Sequence, residues 1–428
     1  MDRTMDSKNT GEFFSDELLQ EIRAKMDYVD YDPYAGKRIY FDNAGGSLRL
    51  KKCSEFLAAE TAFPDSPNRP SKASAHLKEM VIKGMDDTKL FLGAKSGSVF
   101  SSQTASRVLY HMTQAIVFNV PGSNVVTTDL EHPATYDSAK YYAEIAGKEL
   151  RVASANRMTG AADAEEIMRH VDKDTCMLSF IYASNITGAL NEVESIIHEA
   201  RKIKPDIYIL LDATQHIPHG PIDVEKLQID AIGFTQYKIL GKRGQGIGYV
   251  SERCSKLPHE RTLEGAITDW EVGSVEPAAW GCWSIVIDYL CWLGERLGAS
   301  GDRRQQIISA MHGIEMHERA LLHRMLHGSE SIKGLCDISN VNVHFVGDDL
   351  TKRDCILSMT FDGKPSGVAV KQYIDNGIVV FDRVAKSVLS RRQLHAVGLE
   401  ELVRVSPMHF NTAEEIDRFL EVTALIVK

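Results

Sequence analysis

Hydrophobic and polar positions follow two regimes along this chain. Between about residues 85 and 250, short apolar runs recur at 98–101, 124–128, 150–153, 175–182, 207–211, 231–234 and 246–250. The stretches between them, such as 106–117, 136–146, 164–169 and 192–202, have the length and polar face of helices. Strand-helix alternation of this kind predicts an α/β fold with right-handed βαβ units: a mostly parallel seven-stranded sheet between helices, with ligands at the carboxyl ends of the strands. From 280 to 327 the period becomes helical, with Trp283, Ile287, Leu290 and Leu293 on one face, then Ile307, Met311, Ile314 and His317. Short strands return after Gly334, at 342–346 and 355–361, and Thr412 reads as the N-cap of a last amphipathic helix running to Val427. The expected organisation is an N-terminal arm (1–50) joining the small domain, a large domain (51–295) and a smaller α+β C-terminal domain (296–428).

Composition narrows the possible functions. Of 428 residues, 43% are hydrophobic and 25% charged, which excludes disorder, collagen and coiled coil as the main theme. No apolar run reaches the roughly 18 to 20 residues that span a bilayer, and the richest stretch, 280–293, carries Asp288. Segment 1–14 lacks the apolar block of a secretory signal, so a cytoplasmic protein without membrane contact is expected. With 49 basic against 59 acidic residues the net charge is −10, and no basic cluster is present to hold nucleic acid. The seven cysteines (53, 176, 254, 282, 291, 336 and 355) contain no C-x-x-C pair, which argues against a disulfide framework and a structural zinc site.

The chemistry concentrates in residues 210–250. One apolar strand ends in Asp212; about 25 residues later a second ends in Thr235-Gln236-Tyr237-Lys238, followed by a glycine-rich turn. Consecutive strands thus deliver an acid and an amine to one edge of the sheet. An amine that attacks a carbonyl must be near its neutral form, and a strand-end pocket that desolvates it lowers its pKa. A carboxylate facing a pyridine nitrogen keeps that nitrogen protonated and makes the ring an electron sink. The combination suits pyridoxal 5'-phosphate. The turn itself, GKRGQGIG, has neither the P-loop order nor G-x-G-x-x-G, and Asp212, His216 and His219 lack metal-ligand spacing, so no metal is expected.

This stretch, together with YFDNAGG from Tyr40 and VRVSPMHFNTAEEIDRF from Val403, resembles the fold type I pyridoxal-phosphate enzymes of the class V aminotransferase superfamily, which holds cysteine desulfurases, selenocysteine lyase, isopenicillin N epimerase and kynureninase. The resemblance implies that Lys238 is the Schiff-base lysine, Asp212 the partner of the pyridinium, and Gln215 a donor to the ring's phenolic oxygen. His132, in DLEH, matches the imidazole that stacks on the ring. Gln103 and Thr104, in SSQTASR before a helix, and Thr235 match phosphate-binding positions, which suits a helix N-terminus. Tyr237 stands where many relatives carry His. Asn185, in YASNITG, matches a residue near the cofactor oxygen and the substrate, and Arg404 the clamp on the substrate α-carboxylate. The segment Glu271-Val272-Gly273-Ser274 resembles one that reaches the neighbouring subunit's phosphate, which implies a homodimer with shared sites.

The likeness breaks at one place. Desulfurases of this superfamily carry a nucleophilic Cys in a segment such as R-x-G-H-H-C; here the corresponding stretch, 377–387, has none, and Arg383 sits two positions beyond the expected arginine. Cys355 falls inside an expected strand. The implied function is a pyridoxal-phosphate enzyme acting on a small amino acid, first as a β-eliminating C–S lyase without a persulfide cysteine. An aminotransferase or epimerase comes next, and a catalytically silent cofactor-binding regulatory module is a further alternative.

Overall fold

The computed structural model describes residues 8–428; residues 1–7 of the expected N-terminal arm lie outside the described residues. The apolar runs become β1 (Ser98–Ser102), β2 (Asn124–Thr128), β3 (Glu149–Ala153), β4 (Thr175–Ile181), β5 (Tyr208–Asp212), β6 (Ala231–Thr235) and β7 (Gly246–Val250). They form one sheet in the order β1-β7-β6-β5-β4-β2-β3. All neighbours are parallel except at β7, which is antiparallel to both β1 and β6. β4, β6 and β7 are buried at every position, because helices cover both faces and leave no side for polar residues.

The helices that matter for the site are α1 (Lys72–Leu92), α2 (Ala105–Asn119), α3 (Pro133–Ile145), α4 (Val193–Ile203), α5 (Pro277–Arg296) and α6 (Arg303–His327). α3 starts three residues before the expected 136: Pro133 takes its first position, where a missing N–H costs nothing. The helical stretch over 280–327 is divided after Arg296, and Asp302 starts α6 with a capping box to Gln305. α5 is buried almost all round. Gly84 of α1 lets it approach, since a Cβ there would run into Trp280. Trp283 stands 5.5 Å from the rings of both Phe91 and Phe234, tying α5 and α1 to the sheet. Burial of each such ring is worth about 1.5–3 kcal/mol.

The C-terminal part contains a four-stranded antiparallel sheet of β8 (Val341–His344), β9 (Leu357–Phe361), β10 (Phe381–Val384) and β11 (Glu401–Val405), in the order β8-β9-β11-β10. It carries α7 (Ser366–Asp375), α8 (Arg391–Ala396) and α9 (Ala413–Ile426). β8 ends before the expected 346, because Phe345 takes a left-handed φ of 60° that no strand continues through. Cys355 precedes β9 rather than lying within it, and it is buried. Thr412 caps α9 through a capping box with Glu415. The short strand Ile39–Tyr40 pairs in parallel with Ile378–Val379, and Asp42 bridges to Ser406, so the early chain is stitched to the C-terminal sheet. Among the described residues no helix is long and apolar enough to cross a membrane.

Candidate active site

The sheet register gathers the site. Asp212 lies opposite Ile181 and Gly233, Thr235 opposite Gly246, and Gly246 opposite Ser102, so the carboxyl ends of β1, β4, β5 and β6 share one edge. β6 runs on into a tight turn, Gln236–Lys238, which carries the lysine just past that edge. A cavity of about 410 Å³ opens there. Of the residues singled out in the sequence, all but Ser274 line it. Ser274 lines an adjacent recess of the same chain, which shares Gln103 and Gly244 with the cavity. Its neighbour Glu271 is fixed within the chain by the backbone N–H and hydroxyl of Ser101, both at 3.1 Å.

At the centre, Asp212 is buried and accepts hydrogen bonds from the Thr135 hydroxyl (2.7 Å) and the Thr214 N–H (3.0 Å). Those two donors hold it as an oriented carboxylate pointing into the cavity. Lys238 donates to the carbonyl of Ala44. Burial, reinforced by the cations of Arg404 and Arg243, pushes its amine down to about 7, so a large fraction is a neutral nucleophile at physiological pH. His132 is the N-cap of α3, and its Nδ1 accepts from the Ala134 N–H at 3.2 Å, which leaves its proton on Nε2. Burial lowers its pKa as well, against the opposing pull of Asp212. Gln215, three residues past Asp212, is buried at the cavity wall.

One end of the cavity is built for an anion. Thr104 caps α2 and accepts from the Arg107 N–H at 3.2 Å; Gln103, Ala105 and Ser106 line the cavity beside it. The first turn of a helix presents unpaired N–H groups and the positive end of its dipole. β7 passes directly beneath as Gly246, where a Cβ would meet the backbone of Thr104 and Ala105. The Thr235 hydroxyl donates to the Gln245 carbonyl (2.9 Å), and the guanidinium of Arg243 stacks 3.8 Å over the ring of Tyr237. Anion cradle, buried acid, facing imidazole and near-neutral lysine together fit pyridoxal 5'-phosphate.

The opposite wall belongs to Arg404, Asn185 and Arg383. Arg404, at 2% exposure, donates to Asp42 (2.7 Å) and to the Asn185 carbonyl (3.0 Å). Asn185 in turn accepts on its side-chain oxygen from Gln393 (2.8 Å). Arg383 lines the cavity and donates to the carbonyl of Leu389 (3.2 Å), at the tip of the 385–390 turn. Asn43 and Ala44 are held by Ser406, so the two ends of the sequence motif set meet here.

Sequence reasoning did not find Asp42, Thr135, Arg243, Arg392 or Gln393. Arg392 donates to the carbonyls of Asp129 (2.7 Å) and Glu131 (2.9 Å), stacks 3.8 Å over Tyr136, and with Gln393 clamps the segment that presents His132. The adjacent pair Arg392-Gln393 at the start of α8 carries no motif. The signal for Arg243 was in plain view, as a second cation in the glycine turn after the lysine.

Glu131, next to His132, is fully buried, and its carboxyl accepts from Thr128 at 2.7 Å. Burial, with the charge of Asp212 adding, pushes it up to about 8. Between its ordinary pKa of about 4.5 and 8, the native state therefore holds a proton that the unfolded chain has lost. Stability on this account falls as pH rises through that window. In Glu131→Gln the dependence disappears, so the melting temperature of the variant relative to the parent should climb between pH 5 and 8. A difference flat across this range would show Glu131 ionised in the native protein.

The model of the class-V aminotransferase family matches residues 39–293, more than half of the chain. The chain belongs to that family and is a pyridoxal-phosphate-dependent enzyme of the fold type I architecture. A probable cysteine desulfurase 2 from Mycobacterium leprae is 24% identical over 94% of this chain and 95% of its own. An aminotransferase-like protein FGM3 from Gibberella zeae is 22% identical over 91% and 95%. Among solved structures, the apo cysteine desulfurase of Thermococcus onnurineus superposes with a TM-score of 0.79 at 20% identity, covering 95% of this chain and 98% of that one.

Proposed function

We propose that the enzyme is a C–S lyase that acts on a small amino acid by β-elimination, without a sulfur-carrying cysteine of its own. The observation that carries this reading is the segment from Phe381 to Ser390: it delivers Arg383 and Leu389 to the cavity wall and contains no cysteine. Relatives named as cysteine desulfurases support sulfur chemistry. All seven cysteines are free, and all but Cys336 are buried. Burial pushes the thiols of Cys254 and Cys355 well above their usual range, which makes them poor nucleophiles.

When bound, pyridoxal phosphate supplies an electron sink for the pair left at the α-carbon. In this reading Lys238 would tether the cofactor and, once released by the substrate amine, would take the α-proton as general base. Asp212 would hold a proton on the cofactor's pyridine nitrogen, Gln215 would donate to its phenolic oxygen, and His132 would cover the ring. Gln103, Thr104 and the first turn of α2 would hold the phosphate, with Tyr237 and Thr235 beside them. Arg404 orients the α-carboxylate, and Asn185 and Arg383 complete the substrate wall. The C–S bond breaks with its electron pair on sulfur, which leaves protonated as a thiol or sulfide. The unsaturated amine that remains reacts with water to give a 2-keto acid and ammonia.

Homodimerisation in the cytoplasm, with Ser274 of each copy serving the other's phosphate, completes the proposal. Leu263, Ile267 and Val272, exposed apolar residues in the same stretch as Ser274, support an interface there. The division into an arm (1–50), a large domain (51–295) and a small domain (296–428) goes with it, and the pairing of Ile39–Tyr40 with Ile378–Val379 supports the arm's place.

The test is to incubate the holoenzyme with a panel of amino acids and score sulfide, pyruvate, other keto acids and D-isomers together. Sulfide and pyruvate in equal amounts are expected from a β-thio amino acid, and turnover should survive thiol alkylation and the Cys336→Ser change. Alanine formation together with a sulfur adduct on any cysteine would restore the desulfurase mechanism. Keto acid without sulfide would favour transamination.

A further inference from the structure

Two histidines that follow Asp212, His216 and His219, are buried and do not line the cavity. They sit in the segment 213–220, which starts one residue past that acid and carries Thr214 and Gln215 to the cavity wall. Internal bonds stiffen the segment. The Ile217 N–H donates to the Ala213 carbonyl (2.9 Å), the His219 N–H to the His216 carbonyl (2.8 Å), and the Thr214 N–H to Asp212 itself (3.0 Å). A displacement at its far end is therefore passed on to Asp212 and Gln215.

That far end is fastened from the C-terminal part of the chain. Nδ1 of His219 donates to a carboxylate oxygen of Glu318 on α6 (2.6 Å), and Nδ1 of His216 donates to Asp354, just before β9 (3.0 Å). Tyr182 stacks on the His216 ring at 3.9 Å, and Gly220 packs against its edge, where a Cβ would stand 2.7 Å away. Glu318 is anchored in turn: its second oxygen accepts from the His409 N–H (3.0 Å), and the His409 ring meets the Tyr289 hydroxyl (2.9 Å).

Burial opposes a charge on His219, yet Glu318, with Asp354 behind it, prevails and lifts the imidazole to about 8. Burial likewise opposes the Glu318 carboxylate, and His219 holds it below its ordinary range. At neutral pH the contact is thus an imidazolium–carboxylate pair, stronger and more directional than a neutral hydrogen bond. Because both ions lose hydration, such a pair fixes geometry more than it adds net stability. The void beside it, lined also by Glu315, Arg319, Arg353 and Cys355, measures about 10 Å³, room for one water and no substrate.

We infer that His219 and Glu318 are positioning residues for the cofactor: the pair ties the segment 213–220 to α6 and so holds Asp212 and Gln215 where they meet the ring. The roles of those two residues are taken from the function proposed above. His216 and Asp354 brace the same segment from a second element.

The experiment loads the apoprotein with pyridoxal 5'-phosphate carrying heavy nitrogen in its ring and follows that nitrogen by NMR as pH is raised. The parent should keep the ring nitrogen protonated across the physiological range, and Asp212→Asn should lose the proton. In His219→Gln the proton affinity of the ring nitrogen should fall about tenfold. Loss of the imidazolium charge alone would act the other way, since removing a nearby cation favours the protonated ring, so a fall reports displacement of Asp212. The double variant His219→Gln/Glu318→Gln leaves no lone buried charge and should recover part of the parent's behaviour. Hydrogen exchange of the 213–220 amides in the apoprotein, which reads the fastening without cofactor, should accelerate in His219→Gln and slow again in the double variant. Melting temperature establishes that each variant folds. Parent-like or raised proton affinity in His219→Gln, while Asp212→Asn loses the proton, would overturn the inference, and so would unchanged exchange across 213–220. A ring nitrogen that stays protonated in Asp212→Asn would instead overturn the role given to Asp212, with the fastening to α6 still read from exchange in the apoprotein.

Discussion

Lys238→Ala should lower turnover by roughly three orders of magnitude or more, since the general-base and covalent tethering roles proposed for it would vanish together. Lys238 is the lysine that lines the cavity, and no other amine in the lining can stand in for it. Borohydride reduction followed by peptide mass spectrometry should find the cofactor's mass on the Lys238 peptide of the parent and nowhere in the variant. The buried amine sits near 7, protonated below that value and neutral above it. Attachment of added cofactor to the apoprotein should accordingly accelerate as pH rises through 7 and level off beyond it. Parent-like turnover in the variant, or attachment at another lysine, would remove Lys238 from its role.

Asp212→Asn should keep the cofactor bound and cost about two to four orders of magnitude in rate, because a neutral amide cannot hold the ring nitrogen protonated. The substitution is isosteric, and its amide can still accept from the Thr214 N–H while its NH₂ donates to the Thr135 oxygen, so folding is preserved. Melting temperature and cofactor stoichiometry should stay near those of the parent while kcat falls. Near-normal kcat would place the essential acid elsewhere.

The two residues behind these predictions were legible because their signal is local. Asp212 ends one apolar strand and Lys238 lies in the turn just past the end of the next, and parallel neighbours bring strand ends to one edge whatever the rest of the chain does. His132 was legible through its motif, although the start of its helix was misplaced: Pro133 marks a first helical position, but the apolar period that announces α3 begins later. Arg404 was found, whereas its partner Asp42 lies 362 positions away, and no periodicity connects them. Phe345 ended a strand through a backbone angle that its side chain does not advertise. Ser274 shows a different limit: it lies in an adjacent recess and not in the cavity, and a motif match does not reveal that.

The turn between β10 and α8 is fastened at both ends. Arg383 donates to Leu389, the Ser390 hydroxyl donates to Val384, and Arg391 donates to Ala385, while the next two residues grip Asp129, Leu130, Glu131 and Asn185. Transplanting a relative's cysteine-bearing loop into positions 385–390 alone would therefore cut three fastenings and shift the helix that aims His132. A chimera that moves β10, the turn and α8 as one cassette instead exchanges all of these donors together, so the relative's turn arrives with its own fastenings to the helix beside His132.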